Sequence, residues 1–175
     1  GTLSLLEIGP RVGGTMALYR NLGVNLALLS VFDAMDRDVS ILVNDFQIEI
    51  DRAFASKFRT DLSYRHVYID LDNCLICNGV VNTEAVAFLY QCVNRGIGIH
   101  LLTRHAACVD QTLKQARLNG LFDSISRLQS GERKSEAIHH TDAIFIDGSF
   151  AERRHVQERK GIPVFAPDAI ECLLD

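Results

Sequence analysis

His66-Val67-Tyr68-Ile69-Asp70-Leu71-Asp72 is a run rich in β-branched and aromatic residues that closes on two acids. Such a stretch suits a buried strand, and its acids fall where strand gives way to loop. Downstream, Cys77-Asn78-Gly79 marks a brief loop and Asn82 a helix N-cap. Val86, Leu89, Tyr90 and Val93 follow at i, i+3, i+4 and i+7, one face of a helix that Gly96 ends. Residues 97–103 read as a second apolar strand, and a helix over about 106–118 stops at Asn119-Gly120. A strand at 122–128, a short helix near 133–140, a strand at 143–147, a helix near 150–160 and a strand at 161–165 complete the series. Strands alternating with helices predict an α/β protein with a mainly parallel five-stranded sheet and helices on both faces. Ligands of such sheets bind beyond the carboxyl ends of the strands. Asp70, Asp72, Thr103 and Asp147 all collect there.

Residues 1–60 have a different character. A strand over 3–8 leads into the Gly-rich stretch Gly9-Pro10-Arg11-Val12-Gly13-Gly14, then a long apolar helix over about 16–35. Strand-like segments at 41–43 and 46–50 follow, with Ile48 and Ile50 alternating with Glu49 and Asp51. One helix and a few strands cannot cover so apolar a helix alone. This strand-helix-strand appendage is expected to pack on residues 64–175, on a second copy of the chain, or on another domain.

Composition narrows the function classes. The chain has 175 residues, 47% hydrophobic and 23% charged, with net charge −4. Eighteen basic against 22 acidic residues disfavour general nucleic-acid binding. No apolar run reaches the ~18–20 residues that span a bilayer, and no basic-then-apolar leader opens the sequence. Five cysteines, an odd number without a leader, predict reduced thiols and a cytoplasmic setting. Cys74 and Cys77 form a lone CxxC without a second ligand pair, so they read as small buried side chains.

Paired carboxylates at a strand end can hold Mg²⁺, which takes one or two protein carboxylates together with substrate phosphate. Asp70 and Asp72 supply such a pair, and Asp147 a third protein oxygen. Thr103 adds a hydroxyl and Lys134 a point positive charge, both suited to a phosphoryl group. Arg104 and His105 follow Thr103 and are placed to line the mouth. His139-His140 read as a solvated helix end, and Arg153-Arg154-His155, interleaved with Glu152 and Glu158, as a solvated helix face.

The ordered motifs Asp70-Leu71-Asp72-Asn73-Cys74-Leu75, Leu101-Leu102-Thr103, Lys134 and Ile144-Phe145-Ile146-Asp147 make residues 64–175 resemble the haloacid dehalogenase (HAD) superfamily of phosphatases and phosphotransferases. The resemblance implies a Rossmannoid three-layer sandwich. It also implies that Asp70 attacks phosphorus to give an aspartyl-phosphate, while Asp72 protonates the leaving oxygen and later activates water. Thr103, Arg104 and Lys134 would bind the phosphoryl group of a phosphorylated substrate. Mg²⁺ would be held by Asp70, the Asp72 backbone carbonyl and Asp147. Two positions depart from the pattern. Gly148 stands where a second acid is common, leaving Glu152, about one helical turn on, as its substitute; Cys74 replaces the usual Thr or Val. The short span from Cys77 to Asn82 implies that no cap domain is inserted there, and hence an open site.

Glu7-Ile8-Gly9-Pro10-Arg11, followed by the apolar helix, resembles the carboxyl-terminal end of an ATP-grasp domain of the carbamoyl-phosphate synthase kind. Glu7, Pro10 and Arg11 match a Glu-x-Asn-Pro-Arg stretch, and Gly9 stands in place of Asn. That resemblance implies an alternative, the tail of an ATP-grasp ligase in which the HAD-like module is accessory. In that case residues 1–60 would pack against the rest of the ligase.

Overall fold

The computed structural model describes residues 13–52 and 56–175. The strand expected over 3–8, and with it Glu7, Pro10 and Arg11, lies outside the described residues. The apolar stretch after Gly14 forms two helices, α1 (Met16–Asn21) and α2 (Leu26–Ala34), where one was expected. Gly23 breaks it: its φ is +102°, and a Cβ there would lie 2.4 Å from the Leu42 carbonyl oxygen, so only glycine lets residues 39–44 pass. Asn25 then starts α2, its side chain accepting from the Leu28 N–H at 3.1 Å.

Residues 41–43 are not a strand. They run beside the sheet and are fastened by Asn44, whose amide donates to the Val164 carbonyl (2.5 Å) and accepts from the Val164 N–H (2.9 Å). One buried side chain thus pairs with the sheet edge as a neighbouring strand would, covering backbone groups that are costly to leave unpaired. Strands β1 (Ile48–Arg52) and β2 (Ser56–Thr60) pair antiparallel.

The acid-ended run then gives β3 (His66–Ile69). The segment expected as a brief loop is a small hairpin, β4 (Ile76–Cys77) and β5 (Val80–Val81). Asn78 and Gly79 between them have φ of +51° and +78°, the two left-handed residues a type I′ turn requires. Asn82 caps α3 (Thr83–Arg95), and Gly96 ends it in the left-handed conformation. Its buried stripe is Ala85, Phe88, Leu89 and Cys92; Tyr90 and Val93 are exposed. Both stripes satisfy a helical period and share Leu89, and the larger Phe88 takes the core. The chain continues through β6 (Gly98–Thr103), α4 (Val109–Gln115), β7 (Ser124–Arg127), α5 (Lys134–Ala137), β8 (Ala143–Ile146), α6 (Phe150–Lys160) and β9 (Val164–Phe165), and closes in a 3₁₀ turn, Pro167–Leu173.

The strand order is β7-β6-β3-β8-β9, with every neighbouring pair parallel. This is the expected α/β architecture, a Rossmann-like five-stranded parallel sheet flanked by helices. Val67, Ile69, Ile99, Leu101, Ile144 and Ile146 pack on one face with α3, α4 and the 3₁₀ turn. Tyr68, Leu102 and Phe145 pack on the other with Ile138, Val156 and Ile162. Burial on both faces explains why these strands read as continuous apolar runs. Each fully buried side chain contributes roughly 1.5–3 kcal/mol.

Candidate active site

From β3 the chain moves through β6 to β7 on one side, then returns to place β8 and β9 on the other. The order therefore reverses beside β3, and a crevice opens at the carboxyl ends of β3, β6 and β8. Asp70 follows β3, its N–H donating to the Ile146 carbonyl at 3.0 Å. Asp147 follows β8, its N–H donating to Phe165 at 3.1 Å. Thr103 ends β6 and is fully buried.

Lys134, the first residue of α5 and only 2% exposed, reaches into this crevice. Its Nζ lies 2.8 Å from Asp70 Oδ1 and donates to Asp147 Oδ2 at 2.6 Å. The other Asp147 oxygen accepts from the Ser149 N–H at 2.6 Å, and the Asp147 carbonyl from Arg153 Nη1 at 2.6 Å. Asp147 is thus held at three oxygens. Asp70 is held by fewer partners: its buried Oδ1 lies 2.8 Å from Lys134 Nζ in an ion pair. Burial, and then the Asp147 charge, push the Asp70 carboxyl up to about 6, against the pull of Lys134. The two carboxylates face Lys134, and the Arg153 guanidinium, bonded to the Asp147 carbonyl, is a second cation beside them.

Asp72 sits at the rim with its side chain half exposed. His105 Nδ1 lies 2.9 and 3.0 Å from its two oxygens. His105 is anchored in turn, its Nε2 2.9 Å from Thr112 Oγ1 and its N–H donating to Thr103 Oγ1 at 3.0 Å. His105 therefore aims Asp72 rather than merely lining a mouth. Arg104 is committed elsewhere, pairing with Glu152 Oε1 at 3.0 Å and donating to the Glu132 carbonyl at 2.6 Å. Glu152 is held near the crevice by this pair, and its Oε2 is buried without a partner.

Several expectations change in three dimensions. Gly148 is not simply a missing acid, because a Cβ there would lie 2.8 Å from the Asn73 backbone oxygen. A carboxylate at 148 would displace the turn after Asp72, where Asn73 has φ +54°. Arg153 is not on a solvated face, since its guanidinium reaches back to Asp147. His140 is not a solvated helix end either. The helix stops at Ala137, and His140 Nδ1 lies 2.7 Å from the Tyr68 hydroxyl. The Arg104–Glu152 and Tyr68–His140 contacts join residues far apart in sequence, so no local pattern announces them.

Cys74 and Cys77 are both free thiols, Cys74 buried in the core. A cavity of about 590 Å³ lies between α1, α2, residues 39–44 and the start of α6. It borders the site at Gly148, Phe150 and Arg153; Asp168 lines it, and Asp70, Asp72 and Asp147 do not. The chemistry is at the buried acids, so the site is placed there and not in the cavity. No helix among the described residues is long and apolar enough to cross a membrane.

No protein-family model matches the chain, and no curated protein matches it. Among solved structures, an uncharacterized protein from Corynebacterium glutamicum is 14% identical with a TM-score of 0.43, covering 58% of this chain and 82% of that one. The N-terminal part of the protein BF1531 from Bacteroides fragilis, containing a phosphatase domain complexed with Mg, is 16% identical, also at a TM-score of 0.43. That match covers 65% of this chain and 39% of the other. Likeness at this level assigns no activity, and the functional reading below rests on the chain's own residues.

Proposed function

We propose that the chain is a Mg²⁺-dependent phosphohydrolase of the HAD kind, working through an aspartyl-phosphate on Asp70. The observation that carries this reading is the buried Asp70–Lys134–Asp147 cluster at the switch point of the sheet. The donor set fits Mg²⁺: it is all oxygen and includes two buried carboxylates. Asp70, Asp147 and the Asp72 backbone carbonyl would hold the ion, with Glu152 as a further oxygen in place of an acid at 148. When bound, Mg²⁺ supplies charge neutralisation for Asp70 and for the transferring phosphoryl oxygens.

Asp70 is the nucleophile because its buried carboxylate stands at the carboxyl end of β3 against the Lys134 ammonium, where a phosphoryl group would meet both. Its oxygen forms a bond to phosphorus as the bond from phosphorus to the leaving oxygen breaks. Asp72, at the rim and aimed by His105, gives its proton to that leaving oxygen. Asp72 then takes a proton from water, whose oxygen attacks phosphorus, breaking the bond to Asp70 and releasing phosphate. Lys134 and the Thr103 hydroxyl steady the phosphoryl oxygens, positioning being the larger part of catalysis in this chemistry. Arg104 acts on the phosphoryl group only through Glu152, to which it is paired.

Only the β4–β5 hairpin stands between Asp72 and α3, so the site is open on that side and suits a bulky phosphorylated substrate. Leu26, Leu28, Val31, Met35, Ile41 and Val43 are exposed on the amino-terminal segment, the face through which packing on a second copy or on an ATP-grasp domain would be made. Hydrolysis of an aryl phosphate, with Mg²⁺ removed by chelation and then restored, tests the reading. Activity should follow Mg²⁺ and fall by at least ~1,000-fold in Asp70→Asn. Equal rates in parent and variant would overturn the nucleophile.

A further inference from the structure

At the amino-terminal end of the sheet, roughly 13 Å along β3 from Asp70, three imidazoles converge. His66 opens β3, His100 on β6 is the register partner of Tyr68, and His140 precedes β8. His66 Nδ1 and His100 Nε2 are 3.1 Å apart, and the His140 ring stacks on His66 with centroids 3.4 Å apart. One nitrogen from each ring can be taken so that all three lie within 4.8 Å of one another. The outward nitrogens are already engaged: His100 Nδ1 lies 2.8 Å from Ser124 Oγ, and His140 Nδ1 2.7 Å from the Tyr68 hydroxyl. Such outer partners favour one tautomer of each ring, so Nε2 is the nitrogen each would offer an ion; His100 Nε2 lies against His66 Nδ1.

Space for an ion is kept open by Gly98, which stands opposite His66 in the sheet. A Cβ at 98 would lie 2.7 Å from His66 Nδ1 and 3.3 Å from His100 Nε2. Any other residue would fill the volume beside these two nitrogens. All three rings are half-buried, so the cluster is shielded yet reachable from solvent.

We propose that His66, His100 and His140 bind one zinc-type transition-metal ion, clamping β3, β6 and the entry to β8. Tetrahedral Zn²⁺ with bonds of about 2.0–2.1 Å needs nitrogens roughly 3.4 Å apart. The His66–His100 pair is within a few tenths of that, and His140 closes the remainder by a side-chain rotation. Imidazole nitrogens suit Zn²⁺, Cu²⁺ and Ni²⁺, whereas Mg²⁺ requires oxygen. Three protein ligands leave a fourth position to water. The clamp shares no residue with the phosphohydrolase site, and neither proposal depends on the other.

Calorimetric titration of the chelator-treated chain with Zn²⁺, and optical titration with Co²⁺, test it. One equivalent should bind, with the visible absorption of low-coordinate cobalt, displaced by Zn²⁺ and untouched by excess Mg²⁺. His100→Gln should weaken binding by ~100-fold or more, and Gly98→Ala, which keeps every ligand, by ~10-fold or more. Tyr68→Phe, which keeps every ligand and removes the outer partner of His140 together with the acceptor of the His139 N–H, should cost about 10-fold and guards against a ligand variant that fails to fold. Asp70→Asn should bind Zn²⁺ as the parent does. No saturable binding, equal binding in parent, His100→Gln and Gly98→Ala, or binding lost with Asp70 would overturn the proposal.

Discussion

The two ends of one parallel sheet carry opposite polar chemistry. At the carboxyl end, Asp70, Lys134 and Asp147 are all buried charged groups in contact. At the amino end, His66, His100 and His140 are half-buried rings that touch through nitrogens and stacked faces. The first arrangement is costly alone, because each buried charge loses hydration and only part of it is returned by the ion pairs. The second costs little, because neutral imidazoles can hydrogen-bond and stack. What differs is backbone position: the carboxyl ends lie at the topological switch point, where loops diverge, whereas the amino ends are packed by ordinary turns. A fold that retains three buried charges at one end only concentrates its electrostatic cost there.

The comparison can be broken first by stability. Lys134→Met leaves two buried carboxylates without their cation and should cost about 3–5 kcal/mol in urea unfolding of the metal-free protein. His100→Gln at the opposite end should cost under about 1 kcal/mol. Equal costs would remove the distinction between the ends.

A pH series sharpens it. The folded-state pKa of Asp70 is raised to about 6, so the folded protein holds this proton more tightly than the unfolded chain does. The stabilisation is present below the unfolded value near 4 and is lost as pH rises through about 6. The loss amounts to on the order of 3 kcal/mol in metal-free protein. Asp70→Asn removes the charge, so it should raise the melting temperature of metal-free protein at pH 8 and change it little at pH 4. Mg²⁺ should reverse the ranking at pH 8. A pH-independent difference would contradict the buried charge.

A smaller effect concerns Glu152. Removing its charge with Glu152→Gln should weaken Mg²⁺ by ~10-fold or more while leaving folding intact, measured by the Mg²⁺ dependence of hydrolysis. Unchanged Mg²⁺ dependence would leave the ion to Asp70 and Asp147 alone.

Much of this architecture was legible in the sequence because each core strand is buried on both faces and so writes itself as a short apolar run. Asn82 and Gly96 marked the ends of α3 because capping chemistry is local. Position along the chain also placed Asp70, Asp72, Thr103 and Asp147 at strand ends. What was not legible depends on approach between distant segments. Gly23 beside Leu42, and Gly148 beside Asn73, are glycines required by neighbours that spacing does not reveal. Asn44 replacing a strand and the convergence of three histidines are likewise tertiary events. One signal was readable and missed: Asn78-Gly79 between Ile76-Cys77 and Val80-Val81 is the local chemistry of a hairpin turn.

The central claim is covalent transfer to Asp70, and trapping tests it most directly. The protein is mixed with Mg²⁺ and aryl phosphate, quenched in acid within one turnover, digested, and sequenced by tandem mass spectrometry. The account predicts a phosphoryl group on the peptide spanning Asp70, located at that residue, convertible to homoserine by borohydride and absent from Asp70→Asn. Phosphate released by the parent protein while Asp70 stays unmodified throughout that turnover would contradict it.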